Sequence, residues 1–285
     1  MPGIKLKLPR ICGLGVAGEI CEIGSDVSDW AVGDWVLIDP RNRVEGGLVG
    51  ETIDGGLAEL CRAPTHQLVK IPNNVSFADA ASLPVAYGTA HRMMVTRGQV
   101  TADDKVLILG ASGGVGTGAL LIAKILGAEV VACGSSQEKL DALTEMGADH
   151  VIDYTEVDWV KEVWKLYDKP HRREHAGGVT VAVNFTGGDT WVKSMRCLQR
   201  GGRLLTCGAT AGYDPNTDLR YVWSFEFDVR GSNSWEPEDL VALLDMISTG
   251  KMSVPIAGTY PLTEAAEALR LIEDREVIGK VIVEP

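Results

Sequence analysis

The stretch VLILGASGGVG, residues 106–116, decides the fold of this chain. Residues 106–109 form a continuous apolar run of the kind found in buried parallel strands. A glycine-rich turn follows and leads directly into a predicted helix over 117–126, which Gly127 ends as a C-terminal cap. This order of strand, glycine turn and helix predicts the first unit of an open α/β sheet whose turn faces a phosphate group.

The alternation of strand and helix continues well beyond this turn. The pattern predicts strands at 129–133, 151–153, 179–185, 203–207 and 227–231, separated by helices at 137–146, 157–167, 191–198 and 237–249. Alternating elements at this spacing predict an α/β fold with a doubly wound parallel sheet, because parallel neighbours need a crossover between them.

A polar, basic segment, residues 168–178, interrupts this alternation. It holds His171 and His175, four positions apart, but Pro170 opens the segment and no helix is predicted there. We therefore predict a solvated surface loop rather than a metal site, because a pair of ligands needs a fixed element to hold it.

Before residue 76 the chain consists of short apolar runs that glycines and turn residues interrupt. The runs at 16–20, 34–38 and 57–61 predict strands, and the glycine-rich stretch 41–56 predicts a loop. The N-terminal part is therefore predicted to be all-β.

Composition excludes several classes of protein. The 285 residues are 45% hydrophobic and 23% charged, which argues for a globular core and against a disordered or collagen-like chain. No apolar run approaches the ~20 residues of a membrane span, and the N-terminus lacks a signal peptide's apolar stretch, so a cytoplasmic protein without a membrane partner is predicted. A net charge of -12 argues against nucleic acid as a partner. The six cysteines form no CxxC pair and are predicted to be mostly small buried hydrophobes.

The glycine turn meets the requirements of a dinucleotide site. Such a turn must be tight, must approach a pyrophosphate closely and must direct the first N–H groups of a helix at the anion. Gly113 and Gly116 occupy the second and third positions of the GxGxxG pattern, and Ala111 stands at the first. The residues predicted to hold the cofactor here are Ser112, Gly113, Gly114, Val115 and Gly116. The alternative is a turn packed for geometry alone.

The end of the second predicted strand indicates which cofactor is bound. A carboxylate at this point would hold the ribose 2′-hydroxyl of NAD, but the chain has Gly134 there. Ser135, Ser136 and Lys139 follow, and hydroxyls with a cation suit a 2′-phosphate. We therefore predict NADP(H) in preference to NAD(H), with Lys139 as a solvated helix residue the competing interpretation. Asn184, at the end of a later strand, is a further candidate contact.

Six motifs occur in the order known from one enzyme family. They are GLGVAGEICEIG at 13–24, VGDWV at 32–36, DGGLAE at 54–59, FADAASLP at 77–84, GGVG at 113–116 and GKV at 279–281. On these motifs nearly the whole chain resembles the medium-chain dehydrogenase/reductase superfamily, and within it the zinc-free quinone oxidoreductase-like branch.

The resemblance implies a doubly wound Rossmann sheet inserted in a smaller GroES-like β catalytic domain. Residues 1–85 would be the catalytic part, 86–255 the Rossmann dinucleotide-binding domain, and 256–285 a C-terminal return to the catalytic part. The family has about fifty further residues before the stretch that matches 8–10, so an N-terminally shortened catalytic domain is expected. Family members commonly pair through the sixth Rossmann strand, which makes a homodimer or dimer-based oligomer through 228–232 an expectation.

The resemblance also implies site residues. Ser135, Lys139 and Tyr154 match positions that bind the 2′-phosphate, Gly208 and Ala209 match the region beside the nicotinamide, Thr89 lies in a helix that flanks the cofactor, and Lys280 lies near the cofactor in some relatives. Leu14 and Val85 stand where zinc-dependent relatives carry metal ligands, and neither side chain binds zinc. No metal site is therefore expected.

Without zinc to polarise a carbonyl, the expected substrates are small conjugated electrophiles, namely quinones or α,β-unsaturated carbonyl compounds. Their reduction needs a donor for the developing oxygen anion. Tyr87 and His91 are the catalytic candidates, with a packed ring and a surface imidazole as the alternatives. NADPH-dependent hydride transfer to such an acceptor is the expected function. An alcohol dehydrogenase-like oxidoreductase and an NADPH-binding protein with little turnover stay open.

Overall fold

The computed structural model describes residues 7–285, which lie in two compact units. One unit holds the chain up to Gly88 together with Trp235–Pro285, and the other holds Thr89–Ser234. The return to the first unit thus comes at Trp235, earlier than the sequence suggested. The difference arises from the helix Pro237–Ser248, which packs within the first unit, where the Ser248 hydroxyl donates to Asn74 Oδ1 at 2.8 Å.

Between residues 105 and 248 the described elements follow the predicted order, with one additional short helix at Leu219–Ser224. The strands are β1 Val16–Glu19, β2 Trp35–Ile38, β3 Leu68–Lys70, β4 Lys105–Ile108, β5 Glu129–Gly134, β6 His150–Asp153, β7 Val179–Val183, β8 Leu198–Thr206, β9 Asp228–Gly231, β10 Ile256–Pro261 and β11 Lys280–Glu284. The helices are α1 Phe77–Ser82, α2 Gly88–His91, α3 Gly114–Ile125, α4 Gln137–Glu145, α5 Trp159–Tyr167, α6 Asp189–Met195, α7 Leu219–Ser224, α8 Pro237–Ser248 and α9 Ala265–Glu273.

The second unit is built on a parallel sheet with the strand order β6-β5-β4-β7-β8-β9. The chain adds β5 and β6 on one side of β4 and then crosses over to add β7, β8 and β9 on the other. β4 therefore marks the switch point, beside which open α/β sheets bind their ligands. Leu107, Val131 and Val181 of the central strands are fully buried. The predicted doubly wound fold is confirmed.

The first unit contains an antiparallel sheet, β1-β2-β3, and a parallel pair, β10-β11. The runs at 16–20 and 34–38 form β1 and β2, and 41–56 is a loop with isolated bridges. The strand predicted at 57–61 is wrong, because this run forms bends and Leu60 is 74% exposed. An apolar run becomes a strand only where a neighbour pairs with it, and none does so in the part of the chain that the structure describes.

A buried ion pair joins three strands of the second unit near their amino ends. Asp104, directly before β4, pairs with Arg203 of β8 and accepts from the Thr180 hydroxyl of β7 at 2.7 Å. Burial alone would raise the pKa of Asp104, but hydrogen bonds from Thr180, Thr101 and Arg203 hold that pKa below its ordinary value. The pair therefore stabilises the sheet through the charged form of the carboxyl group.

The cysteines differ in their surroundings. Cys133 and Cys197 are buried as predicted, and burial raises the pKa of the Cys133 thiol to about 12. Cys12 and Cys21 are exposed, because they lie in irregular segments on either side of β1. Across residues 7–285, every helix is too short or too polar to cross a membrane.

Candidate functional site

The turn between β4 and α3 depends on glycines with different tasks. Gly110 has a φ of +66°, so the left-handed bend falls there and an alanine is tolerated at 111. A Cβ on Gly116 would lie 2.2 Å from the Gly110 oxygen, so only glycine lets α3 start this close to the turn. A Cβ on Gly113 would come no closer than 3.7 Å, to that same oxygen. The space beside Gly113 is therefore open to a ligand.

The N-terminus of α3 begins at this open space. Gly113 is its N-cap residue, and no side chain accepts from the first N–H groups of the helix among the described residues. The N–H of Thr117 makes the first intrahelical bond, to the Gly113 oxygen at 2.8 Å. The amides of residues 114–116 precede that bond, and amides in this position together with the helix dipole attract anions. The turn thus fits the pyrophosphate of a dinucleotide.

The carboxyl end of β5 brings three predicted residues together. The Lys139 ammonium group lies 3.5 Å from the Ser135 hydroxyl, one turn of α4 away. The Tyr154 N–H donates to the Gly134 oxygen at 3.1 Å, which holds the half-exposed Tyr154 ring beside the same strand end. Ser136 is the N-cap residue of α4, because its hydroxyl accepts a hydrogen bond from the Lys139 N–H, so this hydroxyl is already engaged by the helix.

Gly134 is closely packed by α4. A Cβ at this position would meet Leu140 Cδ2 at 2.9 Å, so α4 lies directly on the end of β5. A carboxylate side chain, which would select NAD, could enter here only if Leu140 moved away. With glycine at position 134, the end of β5 carries no carboxylate at the position that selects NAD. The missing side chain also lets α4, and with it Lys139, lie close to the strand end.

Asp153 is a charged group at this edge that the sequence reasoning missed. It ends β6 as the register partner of Gly134. Its carboxylate accepts from the hydroxyl and the N–H of Thr155 at 2.6 and 2.8 Å, and these bonds lower its pKa. The sequence carries this signal as a carboxylate at the end of the third strand of the repeat, one strand beyond Gly134.

The Asn184 side chain holds the turn after β7 in place, and its predicted contact with the cofactor stays a prediction. Its buried amide donates to the Thr190 and Ser194 hydroxyls at 3.1 and 2.9 Å. Its oxygen accepts from the N–H groups of Thr186 and Gly187 at 3.0 and 2.9 Å. Both donors and both lone pairs are thus used within the second unit, and the side chain fixes the turn that follows β7.

The residues predicted to bind the cofactor in the second unit line up along one edge of its sheet. Tyr154 follows β6, Gly134 and Ser135 end β5, the glycine turn follows β4, Asn184 follows β7, and Gly208 with Ala209 follow β8. Gly208 and Ala209 are exposed, and the Gly208 oxygen accepts from the Thr206 hydroxyl. At ~4.8 Å between neighbouring strands, the line spans about 19 Å with the pyrophosphate turn in its middle. An extended dinucleotide has this arrangement, with a nucleoside on each side of its pyrophosphate.

The other predicted residues lie elsewhere. The Tyr87 side chain is completely buried, and Thr89 and His91 are nearly so. Full burial leaves no face of the Tyr87 ring for a substrate and supports the packed-ring alternative. Val85, two residues earlier, has a φ of +65°, which is uncommon for a β-branched residue. Lys280 belongs to the first unit, where burial lowers the pKa of its ammonium group.

No group of three or more histidine, cysteine, aspartate or glutamate side chains could hold a metal ion within residues 7–285. His175 Nδ1 donates to the backbone oxygen of Arg200 at 3.0 Å. The segment 168–178 is mostly exposed, as a solvated loop requires.

Two family models match the chain. Residues 2–73 match the alcohol dehydrogenase GroES-like domain, and residues 114–249 match the zinc-binding dehydrogenase family. Among curated relatives, the chain is 31% identical to an acryloyl-coenzyme A reductase of Sulfurisphaera tokodaii, over 99% of this chain and 85% of that protein. It is also 31% identical to the chloroplastic NADPH-dependent alkenal/one oxidoreductase of Arabidopsis thaliana, over 98% of this chain and 64% of that protein.

Solved structures show the same architecture. An NAD-dependent alcohol dehydrogenase superposes with a TM-score of 0.88 at 31% identity, over 98% of this chain and 84% of that chain. The 2-octenoyl-CoA carboxylase reductase CinF, in complex with NADP and 2-octenoyl-CoA, superposes with a TM-score of 0.84 at 29% identity, over 96% and 68%.

Proposed function

Because this chain belongs to the medium-chain dehydrogenase/reductase superfamily, we propose that it is an NADPH-dependent reductase of α,β-unsaturated carbonyl compounds or quinones that works without zinc. One observation carries the choice of cofactor. At the end of β5, glycine replaces a carboxylate, and a cation lies beside a hydroxyl 3.5 Å away. The oxidoreductase class follows from the family, and the substrate class is supported by the relatives that reduce acryloyl-CoA and alkenals.

The chain's residues would divide the cofactor between them. The amides of Gly113–Gly116 would hold the pyrophosphate in the open space beside Gly113. Ser135 would donate to a 2′-phosphate, Lys139 would neutralise its charge, and the Tyr154 ring would cover it. A 2′-phosphate carries roughly −1.5 to −2 charges at neutral pH, so a single cation is a large part of its binding.

NADPH, when bound, supplies the hydride. Gly208 and Ala209, at the far end of the line of strand ends, would leave room for the nicotinamide because they carry little or no side chain. Asn184 would keep the adjacent turn in place. The enolate oxygen of a reduced enone requires a hydrogen-bond donor, and of the two predicted candidates His91, 7% exposed, keeps slightly more access than the completely buried Tyr87.

The proposal includes zinc independence. Leu14 and Val85 supply no ligand atoms at the positions where relatives hold the metal. Conjugated acceptors spread the developing negative charge themselves, so they depend less than simple aldehydes on a Lewis acid. These two facts together support a conjugated acceptor.

Asp153 supports a second candidate, an NAD(H)-dependent alcohol or aldehyde oxidoreductase. Its carboxylate lies on the strand next to Gly134, where it could accept from a ribose hydroxyl and would repel a 2′-phosphate. The two Thr155 hydrogen bonds offset part of this repulsion, and Lys139 opposes it. The two candidate functions therefore differ in which charge dominates at the end of β5: attraction of a 2′-phosphate by Lys139 favours NADPH, and its repulsion by Asp153 favours NADH.

A titration followed by turnover tests the proposal. Purified protein is titrated with NADPH and NADH by nicotinamide fluorescence, and the loaded protein is then given an enone, a quinone or an aldehyde, with and without EDTA. We expect NADPH to bind about tenfold more tightly than NADH, a difference of ~1.4 kcal/mol. We also expect turnover with the enone or the quinone that EDTA leaves unchanged.

Other outcomes would reject the proposal in identifiable ways. Preference for NADH with turnover of the aldehyde alone would establish the second candidate. Binding of NADPH without turnover of any acceptor would leave a cofactor-binding protein, and absence of binding would remove the cofactor assignment.

A further inference from the structure

A cavity of about 400 Å³ lies in the second unit, at the opposite edge of the sheet from the glycine turn. Three separate segments line it, and its principal side chains are Trp164, Lys169, Arg172, Arg196, Tyr221 and Phe225. Its volume falls in the ~300–1,000 Å³ range of small-molecule sites. We refer to it below as the amino-edge pocket.

The topology places this pocket away from the cofactor. The C-terminus of α5 precedes β7, that of α6 precedes β8, and that of α7 precedes β9. The ends of α5 and α6 and the whole length of the short helix α7 line the pocket, so it lies on the side of the sheet where β7, β8 and β9 begin. Dinucleotides bind outside the carboxyl ends of such strands. The amino-edge pocket is therefore separate from the line of cofactor residues.

The charge of the pocket is opposite to that of the protein. The whole chain carries a net charge of -12, yet the pocket contains four cations and one carboxylate. That carboxylate, Asp218, is already engaged by Arg220, at 2.8 Å from Nη2. Lys169, Arg172 and Arg196 make no ion pair with any residue in 7–285. Three uncompensated cations around one concave surface attract an anion.

Aromatic rings supply the rest of the lining. Arg196 and Lys169 lie over the Trp164 ring, 5.4 and 5.2 Å from its centroid, which holds both cations at the wall of the pocket. Tyr221 of α7 stacks on Phe225 with centroids 5.6 Å apart and an interplanar angle of 14°, and Phe225 stacks in turn on Phe227 at 5.5 Å, so Tyr221 forms the end of this stack. A stacked aromatic pair next to cations binds a planar ring and a phosphate at the same time.

We propose that the amino-edge pocket binds a small nucleotide, with its base on the Tyr221 end of this stack and its phosphate between Arg172 and Arg196. The site is distinct from the dinucleotide site and does not depend on the proposed reductase activity. Because α6 and α7 flank β8, whose carboxyl end carries Gly208 and Ala209, an occupant would contact elements that also support the cofactor edge.

Isothermal titration of the NADPH-loaded protein with adenosine 5′-monophosphate tests this site, because the cofactor then occupies the other adenylate position. Adenosine and inorganic phosphate are titrated separately to divide the contributions of ring and anion. We expect saturable binding of the monophosphate, at least tenfold tighter than that of either part. Arg196→Ala and Arg172→Ala should each weaken it about tenfold, and Tyr221→Ala should weaken it several-fold.

Lys193→Ala is the matched control, since Lys193 is an exposed cation on α6 that lies outside the pocket. It should leave the affinity unchanged. Absence of saturable binding, or binding that Arg196→Ala and Arg172→Ala leave intact, would overturn the proposal. If NADPH fails to bind, the pocket variants still show whether adenosine monophosphate binds in the amino-edge pocket. Failure of this proposal can therefore be distinguished from failure of the proposed cofactor assignment.

Discussion

The two edges of the parallel sheet are built by different means. The carboxyl edge consists of backbone: glycines at 110, 113, 116 and 134 with helix amides, and one cation beside them. The amino edge consists of side chains, with an ion pair at Asp104 and a pocket of arginines and aromatic rings. A backbone site tolerates no added atom at its close contacts, whereas a side-chain site depends on charge and stacking. Substitutions at the two edges should therefore fail in different ways.

The largest effect is expected at the glycine turn, from Gly116→Ala. Its new Cβ would lie 2.2 Å from a backbone oxygen that cannot move without breaking the turn. We expect the free energy of unfolding to fall by about 1–3 kcal/mol, with NADPH binding lost. Denaturant unfolding and cofactor fluorescence measure the two effects.

Gly113→Ala is the matched control, because position 113 has an ordinary negative φ and open space around it. It should unfold like the natural protein and still bind NADPH about tenfold more weakly, since the added methyl group occupies the cofactor's place. Equal losses of stability in the two variants would contradict the assigned roles of the two glycines.

At the amino edge, Asp104→Ala should lower the free energy of unfolding by about 3 kcal/mol, because it leaves Arg203 buried without its partner. The pKa of Asp104 is below its ordinary value in the folded protein. Its contribution is therefore complete above the unfolded pKa of about 4 and is lost as the pH falls through the folded pKa. Unfolding midpoints measured from pH 7 down to pH 2 check this. A difference between natural protein and variant that stays constant over that range would count against the ion pair.

Lys139→Ala should weaken NADPH binding by about ten- to a hundredfold, the value of one charge-assisted hydrogen bond. It should leave NADH binding unchanged, because NADH lacks the 2′-phosphate. Asp153→Asn should act in the opposite direction and raise the preference for NADPH. Lys161→Ala, an exposed cation on α5, is the control and should change neither affinity. Equal weakening of both cofactors in Lys139→Ala would mean that Lys139 supports the fold and not the 2′-phosphate.

The smallest effect is expected for Tyr87→Phe. The ring is completely buried, so its hydroxyl has no access to a substrate. We expect kcat for an enone to change by less than about threefold, whereas His91→Gln should lower it by ~10²-fold if His91 is the proton donor. Steady-state kinetics with NADPH in excess distinguish the two. A large fall in kcat for Tyr87→Phe would restore Tyr87 as the catalytic candidate.

How far the sequence could predict the structure differs between the same two edges. The carboxyl edge was predictable because glycine spacing, a strand end and a helix start are local, so Gly113, Gly116, Gly134 and Lys139 could be identified in order. Asp153 was missed because only the register between β5 and β6 brings it beside Gly134. The saturated hydrogen bonding of Asn184 likewise depends on how α6 packs against the turn after β7, which the predicted helix at 191–198 does not show.

The amino-edge pocket shows the limit most clearly. Trp164, Arg196 and Tyr221 belong to three segments that are far apart in the chain, and each alone resembles an ordinary surface residue of a helix. Segment 168–178 is the solvated loop that the sequence predicts, but only the folded structure shows that its cations Lys169 and Arg172 line the same pocket. In the first unit, the failed strand at 57–61 has the same origin, since pairing and not the apolar run decides whether a strand forms.

Discrimination of the 2′-phosphate tests the central claim most directly. Bound NADPH is displaced with 2′,5′-ADP and, separately, with 5′-AMP, which lacks only the 2′-phosphate, in the natural protein and in Lys139→Ala, and the loss of nicotinamide fluorescence is followed. We predict that 2′,5′-ADP displaces NADPH at a concentration about tenfold lower than 5′-AMP, a ~1.4 kcal/mol preference, and that Lys139→Ala abolishes the difference. Equal displacement by the two nucleotides in the natural protein would contradict the assignment of the β5 edge to NADPH.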